Sequence, residues 1–166
     1  MTKFLKAFFV LILISTLSQA QPYKLAAGLR LGSPLSASVK YFVKEKNSLE
    51  GFLGYRRYSA FASWTMIGAA YTWYNPLKDI DEGLGWYAGG GASAFFWSYD
   101  YSGTFAGNPS YSKTSVGLLG QIGVDYKFKD LPLNLSVDWM PIIFFSGYGS
   151  GFGGGYGALS ARYVFK

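Results

Sequence analysis

The chain has 166 residues, with 15 Lys and Arg against 9 Asp and Glu; 20% of it is aromatic and only 14% is charged. Soluble domains carry roughly 25% charged residues, so there is little here from which to build a fully hydrated surface. Cysteine and histidine are both absent, which excludes disulfides, Ser–His and Cys–His catalysis, and metal sites built on those ligands.

Residues 1–20, MTKFLKAFFVLILISTLSQA, join a basic start (Lys3, Lys6) to an apolar run from Ala7 to Ile14 and then to the small residues Ser18 and Ala20. That order predicts a secretory signal peptide cleaved after Ala20, leaving residues 21–166 as a single exported domain. An uncleaved anchor is the alternative, and it is disfavoured because a spanning helix needs ~20 apolar residues. Losing Lys3 and Lys6 takes the cations from 15 to 13 against 9 acids, a net charge of +4. A charge so mild and dispersed points to no nucleic-acid partner.

From residue 21 onward the hydrophobic period is two, interrupted by turn signals. In 23–32, Tyr23, Leu25, Ala27, Leu29 and Leu31 share one face, opposite Lys24, Ala26, Gly28 and Arg30. GSPLS predicts a turn around Pro34. In 37–44, Ala37, Val39, Tyr41 and Val43 oppose Ser38, Lys40, Phe42 and Lys44. After EKN, residues 48–57 set Leu49, Gly51, Leu53 and Tyr55 against Glu50, Phe52, Gly54 and Arg56. The stretch 60–74 reads as a strand with apolar groups on both faces, so its phase stays open. NPLKDIDEG turns the chain into 84–97, where Leu84, Trp86, Ala88, Ala92, Ala94 and Phe96 form one row, weakened by glycines. Ser98–Lys113 is predicted to be the longest irregular loop. Val116, Leu118, Ile122, Val124, Tyr126 and Phe128 then oppose Ser115, Gln121, Asp125 and Lys127. KDLP leads to 133–140, with Leu133, Leu135, Val137 and Trp139 set against Asn134, Ser136 and Asp138. Pro141 marks a bulge or rim, and SGYGSGFGGG reads as a glycine-rich loop. In the last strand, Leu159, Ala161, Tyr163 and Phe165 oppose Ser160, Arg162 and Val164.

These are eight candidate strands, each near the 9–11 residues a tilted strand needs to cross a bilayer. No helix signal follows the signal peptide. The predicted fold is all-β: a membrane-spanning, antiparallel, up-and-down β-barrel of eight strands, closed so that no edge is exposed. Alternation alone leaves open which face is outside. The polar rows hold one or two charges per strand among Gly, Ala and Ser; they are too sparse to hydrate an outer wall but fit a narrow interior. The opposite rows are nearly uncharged, as a lipid-facing wall requires. Tyr41, Trp73, Trp86, Tyr126 and Phe165 would then ring one rim, and Tyr55, Phe61, Phe96 and Phe145 the other. A soluble sandwich with an aromatic core is the alternative.

On this reading the interior gathers Lys24, Arg30, Lys40, Glu50, Arg56, Asp125, Asp138 and Arg162. Unpaired charges in so narrow a space would be costly, so mutual pairing is expected. Asp79, Asp81 and Glu82 form the one acidic cluster, without calcium-loop spacing and within a turn. Gly149, Gly151 and Gly154 satisfy a GxGxxG spacing, but no helix follows, so the run reads as a flexible loop. No catalytic residue, metal or cofactor is predicted.

The signal peptide, the eight alternating strands and the aromatic-ended last strand resemble the small outer-membrane β-barrels of the OmpA/OmpX type. The resemblance implies location in the cell outer membrane, lipid as surroundings, and the barrel-assembly machinery as a partner during insertion. It also implies an assembly signal in the last strand, matched by Tyr163 and Phe165, with Ser160 where Gly is usual and Ala158 where a polar residue is usual. The implied role is structural or one of surface contact, the latter through loop aromatics such as Tyr101, Phe105, Tyr111, Tyr148 and Phe152. The alternative is a narrow porin-like pore or a transporter of small apolar solutes. The histidine-dependent lipid enzymes known among such barrels are not supported.

Overall fold

A computed structural model describes residues 23–57, 59, 62–99, 111–146 and 150–165. The predicted signal peptide and its expected cleavage after Ala20, together with Phe61, Tyr101, Phe105, Tyr148, Gly149 and Lys166, lie outside the described residues. Within them the chain forms β1 (Leu25–Ser33), β2 (Leu35–Lys44), β3 (Asn47–Arg57), β4 (Ala62–Pro76), β5 (Leu84–Tyr99), β6 (Tyr111–Lys127), β7 (Leu133–Trp139), β8 (Ile142–Phe144), β9 (Gly151–Gly153) and β10 (Gly157–Phe165), and no helix.

From β1 to β7 each strand pairs antiparallel with the next, β7 also pairs with β10, and β8 pairs with β6 and β9. β1 pairs with β10 from Leu25↔Phe165 to Ser33↔Gly157, which closes the sheet. β8 continues the stave of β7, and β9 runs into that of β10, so the segments form an eight-strand barrel, an architecture consistent with the OmpA/OmpX type. Closure of β1 on β10 removes the edges along their length, while β9 pairs with β8 alone beyond the far end of that seam. The end holding Leu25 and Phe165 is called the near end below, and the end holding Ser33 and Gly157 the far end.

Three local expectations change. Only Pro34 separates β1 from β2, so the turn there is tighter than GSPLS suggested. β5 and β6 remain paired up to Tyr99↔Tyr111, which shortens the irregular stretch predicted at Ser98–Lys113. Pro141 does not bulge its own strand. Ile122↔Trp139 and Leu119↔Ile142 keep one register, and the Gly120 N–H donates to the Pro141 carbonyl at 2.8 Å. The extra residue sits opposite, between Trp139↔Gly157 and Ile142↔Gly153, where glycine-rich chain absorbs it at low steric cost. Part of the supposed glycine loop is therefore strand β9.

The open phase of 60–74 resolves with Trp64, Met66, Ala70, Thr72 and Tyr74 buried and Ile67, Tyr71 and Trp73 exposed. In β5, Tyr87, Ser93 and Phe95 point inward. The glycines of this strand let β4 come very close: a Cβ on Gly91 would stand 1.8 Å from the Ala69 carbonyl oxygen. Gly91→Ala is therefore expected to force β4 and β5 apart, at a cost of about 1–3 kcal/mol. Urea unfolding of the refolded protein would read this as a lowered midpoint; an unchanged midpoint would refute the close approach.

The interior is layered. Tyr23, Ala26, Phe42, Tyr74, Tyr87 and Val164 pack together at the near end. Phe52, Trp64, Met66, Phe95, Leu119, Met140, Ile142 and Phe144 pack at the far end, with Trp97 and Tyr156 against them. Eight strands enclose just enough space for side chains, and here aromatic and methionine side chains take a large share of it. The sparse, small-residue interior expected from the polar rows is thus only the middle of the barrel.

Candidate functional site

Between the two apolar layers lie the buried ions. Period two places Arg30, Lys40, Glu50, Asp125, Asp138 and Arg162 on inward positions of β1, β2, β3, β6, β7 and β10, and all six are buried. Three cations thus face three carboxylates.

Asp138 receives a two-pronged contact from Arg30, whose Nη1 donates to Oδ2 at 2.9 Å and Nη2 to Oδ1 at 2.7 Å. This planar fork is the strongest geometry a guanidinium and a carboxylate can adopt. The Tyr87 hydroxyl donates to the same carboxylate at 3.1 Å. Glu50 accepts from Arg162 Nη2, from Arg30 Nη1 at 3.4 Å and from Gln121 Nε2 at 3.1 Å. Arg162 is completed by Ser38 Oγ at 2.9 Å, Ser136 Oγ at 2.7 Å and Asn134 Oδ1 at 3.4 Å. Asp125 accepts from Lys40 Nζ at 3.2 Å, the Tyr23 hydroxyl at 3.1 Å and Asn134 Nδ2 at 3.2 Å. Aromatic faces supply further contacts: Arg30 lies 4.6 Å over the Phe52 ring, and Lys40 lies 3.9 Å over Tyr87.

The partners are not those of the local ladder. Lys40 and Glu50 stand directly opposite in register, yet Lys40 reaches Asp125 and Glu50 reaches the two arginines. Arg162 and Asp138 lie on neighbouring strands but do not meet. The register partner of Arg162 on β7 is Asn134, whereas that of Asp138 on β10 is Ala158. The four-residue offset is about 13 Å at the usual rise, so Arg162 pairs with Glu50 instead.

Two of the eight predicted interior charges are not brought into this cluster. Lys24 precedes β1 and is exposed at the near end; Arg56 is exposed at the far end, where Nη1 donates to Ser33 Oγ at 2.7 Å. Both keep the inward parity but sit beyond the walls that would bury them. Among the residues not predicted, Ser38, Gln121, Asn134 and Ser136 carry the signal of lying on the polar rows. Tyr87 is opposite the row of Trp86. Tyr23 carries no such signal: alternation put it on the apolar row, but it precedes β1 and its ring packs edge-on, 5.0 Å from that of Phe42.

Elsewhere, Asp81 Oδ1 accepts from the Gly83 N–H at 2.8 Å, and Glu82 pairs with Lys129 at 2.9 Å. Asp79, Asp81 and Glu82 thus remain turn residues, and no group of three or more metal-ligating side chains occurs among the described residues. Tyr163 and Phe165 pack edge to face at 5.1 Å on the outside of the closing strand. No model of a known protein family matches this chain, and no curated protein matches it.

Proposed function

We propose that this chain is a non-enzymatic integral protein of the cell outer membrane, with a structural or surface-contact role and an interior plugged by its own side chains. The observation that carries this reading is the inverted distribution of polarity. Lys40, Glu50 and Arg162 are 0% exposed, while Leu29, Leu53 and Val137 on the outer wall are 57–58% exposed. Water would penalise such a wall at about 25 cal/mol per Å² of apolar surface; hydrocarbon would not. Exposed Tyr41, Trp73 and Phe165 at one end and Tyr55, Phe96 and Phe145 at the other fit aromatic girdles at two interfaces. Phe152, 69% exposed near the far end, supports a surface contact there.

The layers support the plug: a conducting path would have to pass the central ions and then the Phe52–Trp64–Phe95 cluster. Refolded protein is expected to run faster on gels before boiling than after, and to give no steady unitary currents in a planar bilayer. Migration unaffected by boiling would count against the membrane barrel. Clear unitary currents would overturn the plug and favour the narrow-pore alternative.

A further inference from the structure

Most of the outer wall is uncharged. The hollow between Ile67 and Phe145, and another between Leu29 and Tyr55, are lined by apolar and small polar residues only. One cleft differs. At the near end, a space of about 740 Å³ opens between the β6–β7 turn and the closing strands, and Lys24, Lys127, Lys129 and Asp130 line it beside the outward faces of Tyr163 and Phe165. Three cations face one carboxylate across a cleft whose outer side is aromatic.

Resting on the membrane reading above, we infer that this cleft holds the headgroup of an anionic phospholipid. The charge balance selects an anion over a zwitterionic headgroup, whose own ammonium would meet three lysines. The aromatic side selects a ligand with an apolar body, since acyl chains leaving the cleft would run along Tyr163 and Phe165. Part of the site is held in place before binding: Lys127 Nζ is tied to the carbonyls of Phe128 and Leu131, the latter at 2.9 Å. Lys129 pairs with Glu82 at 2.9 Å, a hydrogen bond that raises the lysine's pKa above its ordinary value. Glu82 thereby competes with the lipid for Lys129, and Lys24 is exposed beside them.

Retention of lipid by the refolded protein tests the site. Protein in micelles with equal amounts of phosphatidylglycerol and phosphatidylcholine would be washed, and the retained lipid weighed by mass spectrometry. Phosphatidylglycerol should dominate, with a preference of about fivefold per participating lysine. Lys24→Gln together with Lys129→Gln should remove most of that preference, while Glu82→Gln should raise it by releasing Lys129. Equal preference in the wild type and the double variant would overturn the site, as would displacement of the lipid by free glycerol phosphate. The same samples run unboiled on a gel separate the two levels of failure. A folded, heat-modifiable band without lipid preference overturns only the site; absence of that band overturns the membrane reading and the site with it.

Discussion

Glu50→Ala is expected to lower the stability of the refolded barrel by about 3–5 kcal/mol, the usual cost of breaking a buried ion pair from one side. The reason lies in what remains. Arg30 keeps its fork on Asp138, but Arg162 loses its only carboxylate among the described contacts and retains only Ser38, Ser136 and Asn134. Neutral oxygens compensate a buried guanidinium poorly. The small cavity left by the shortened side chain is secondary to that charge. The effect would be read as a lowered urea midpoint, followed by the gel shift. Adding Arg162→Met should recover much of the loss, because replacing both members of a buried pair with apolar groups is often close to neutral. A double variant as unstable as the single one would mean that the charge imbalance is not the cause.

Asp138→Ala should be nearly as damaging, again by about 3–5 kcal/mol, and for a different reason. It removes both prongs of the Arg30 contact and leaves the Tyr87 hydroxyl without its acceptor. Arg30 can still turn toward Glu50, at 3.4 Å, and lean on the Phe52 face. Glu50 would then serve two arginines at once. The two carboxylates are therefore coupled: the Glu50→Ala/Asp138→Ala pair should depart from additivity by about 0.5–3 kcal/mol. Strict additivity would show that Arg30 does not bridge them, and unchanged stability of Asp138→Ala alone would remove it from the network.

These expectations depend on features of unequal visibility in the sequence. The inward position of Glu50, Asp125, Asp138 and Arg162 is a matter of parity, and parity is local: residues two apart share a face whatever the rest of the chain does. Parity also placed Phe42 and Phe52 inward with the ions, although the polar neighbours drew attention away from them. It failed where the strand itself ends. Lys24 and Arg56 have the correct parity and are exposed, and Tyr23, just ahead of β1, has the wrong parity and is buried with its ring against Phe42. The phase of 60–74 was beyond reach because Trp64, Met66, Ile67 and Tyr71 put apolar groups on both rows, and only their depth in the barrel tells the aromatic core from the outer wall.

By itself, the sequence determined an all-β chain of eight staves, most of them alternating, with one row nearly free of charge and most ions of both signs on the other. These follow from composition and from a period of two, both properties of neighbouring residues. Only the tertiary structure decided who meets whom. Arg30 and Asp138 are 108 residues apart and Arg162 and Glu50 are 112 apart. What joins them is the stagger of the strands on closure, which sets each side chain's height along the barrel. Alternation carries no information about height, so the ion pairs, the two aromatic layers around them and the cationic cleft at the near end emerge only once the sheet has closed.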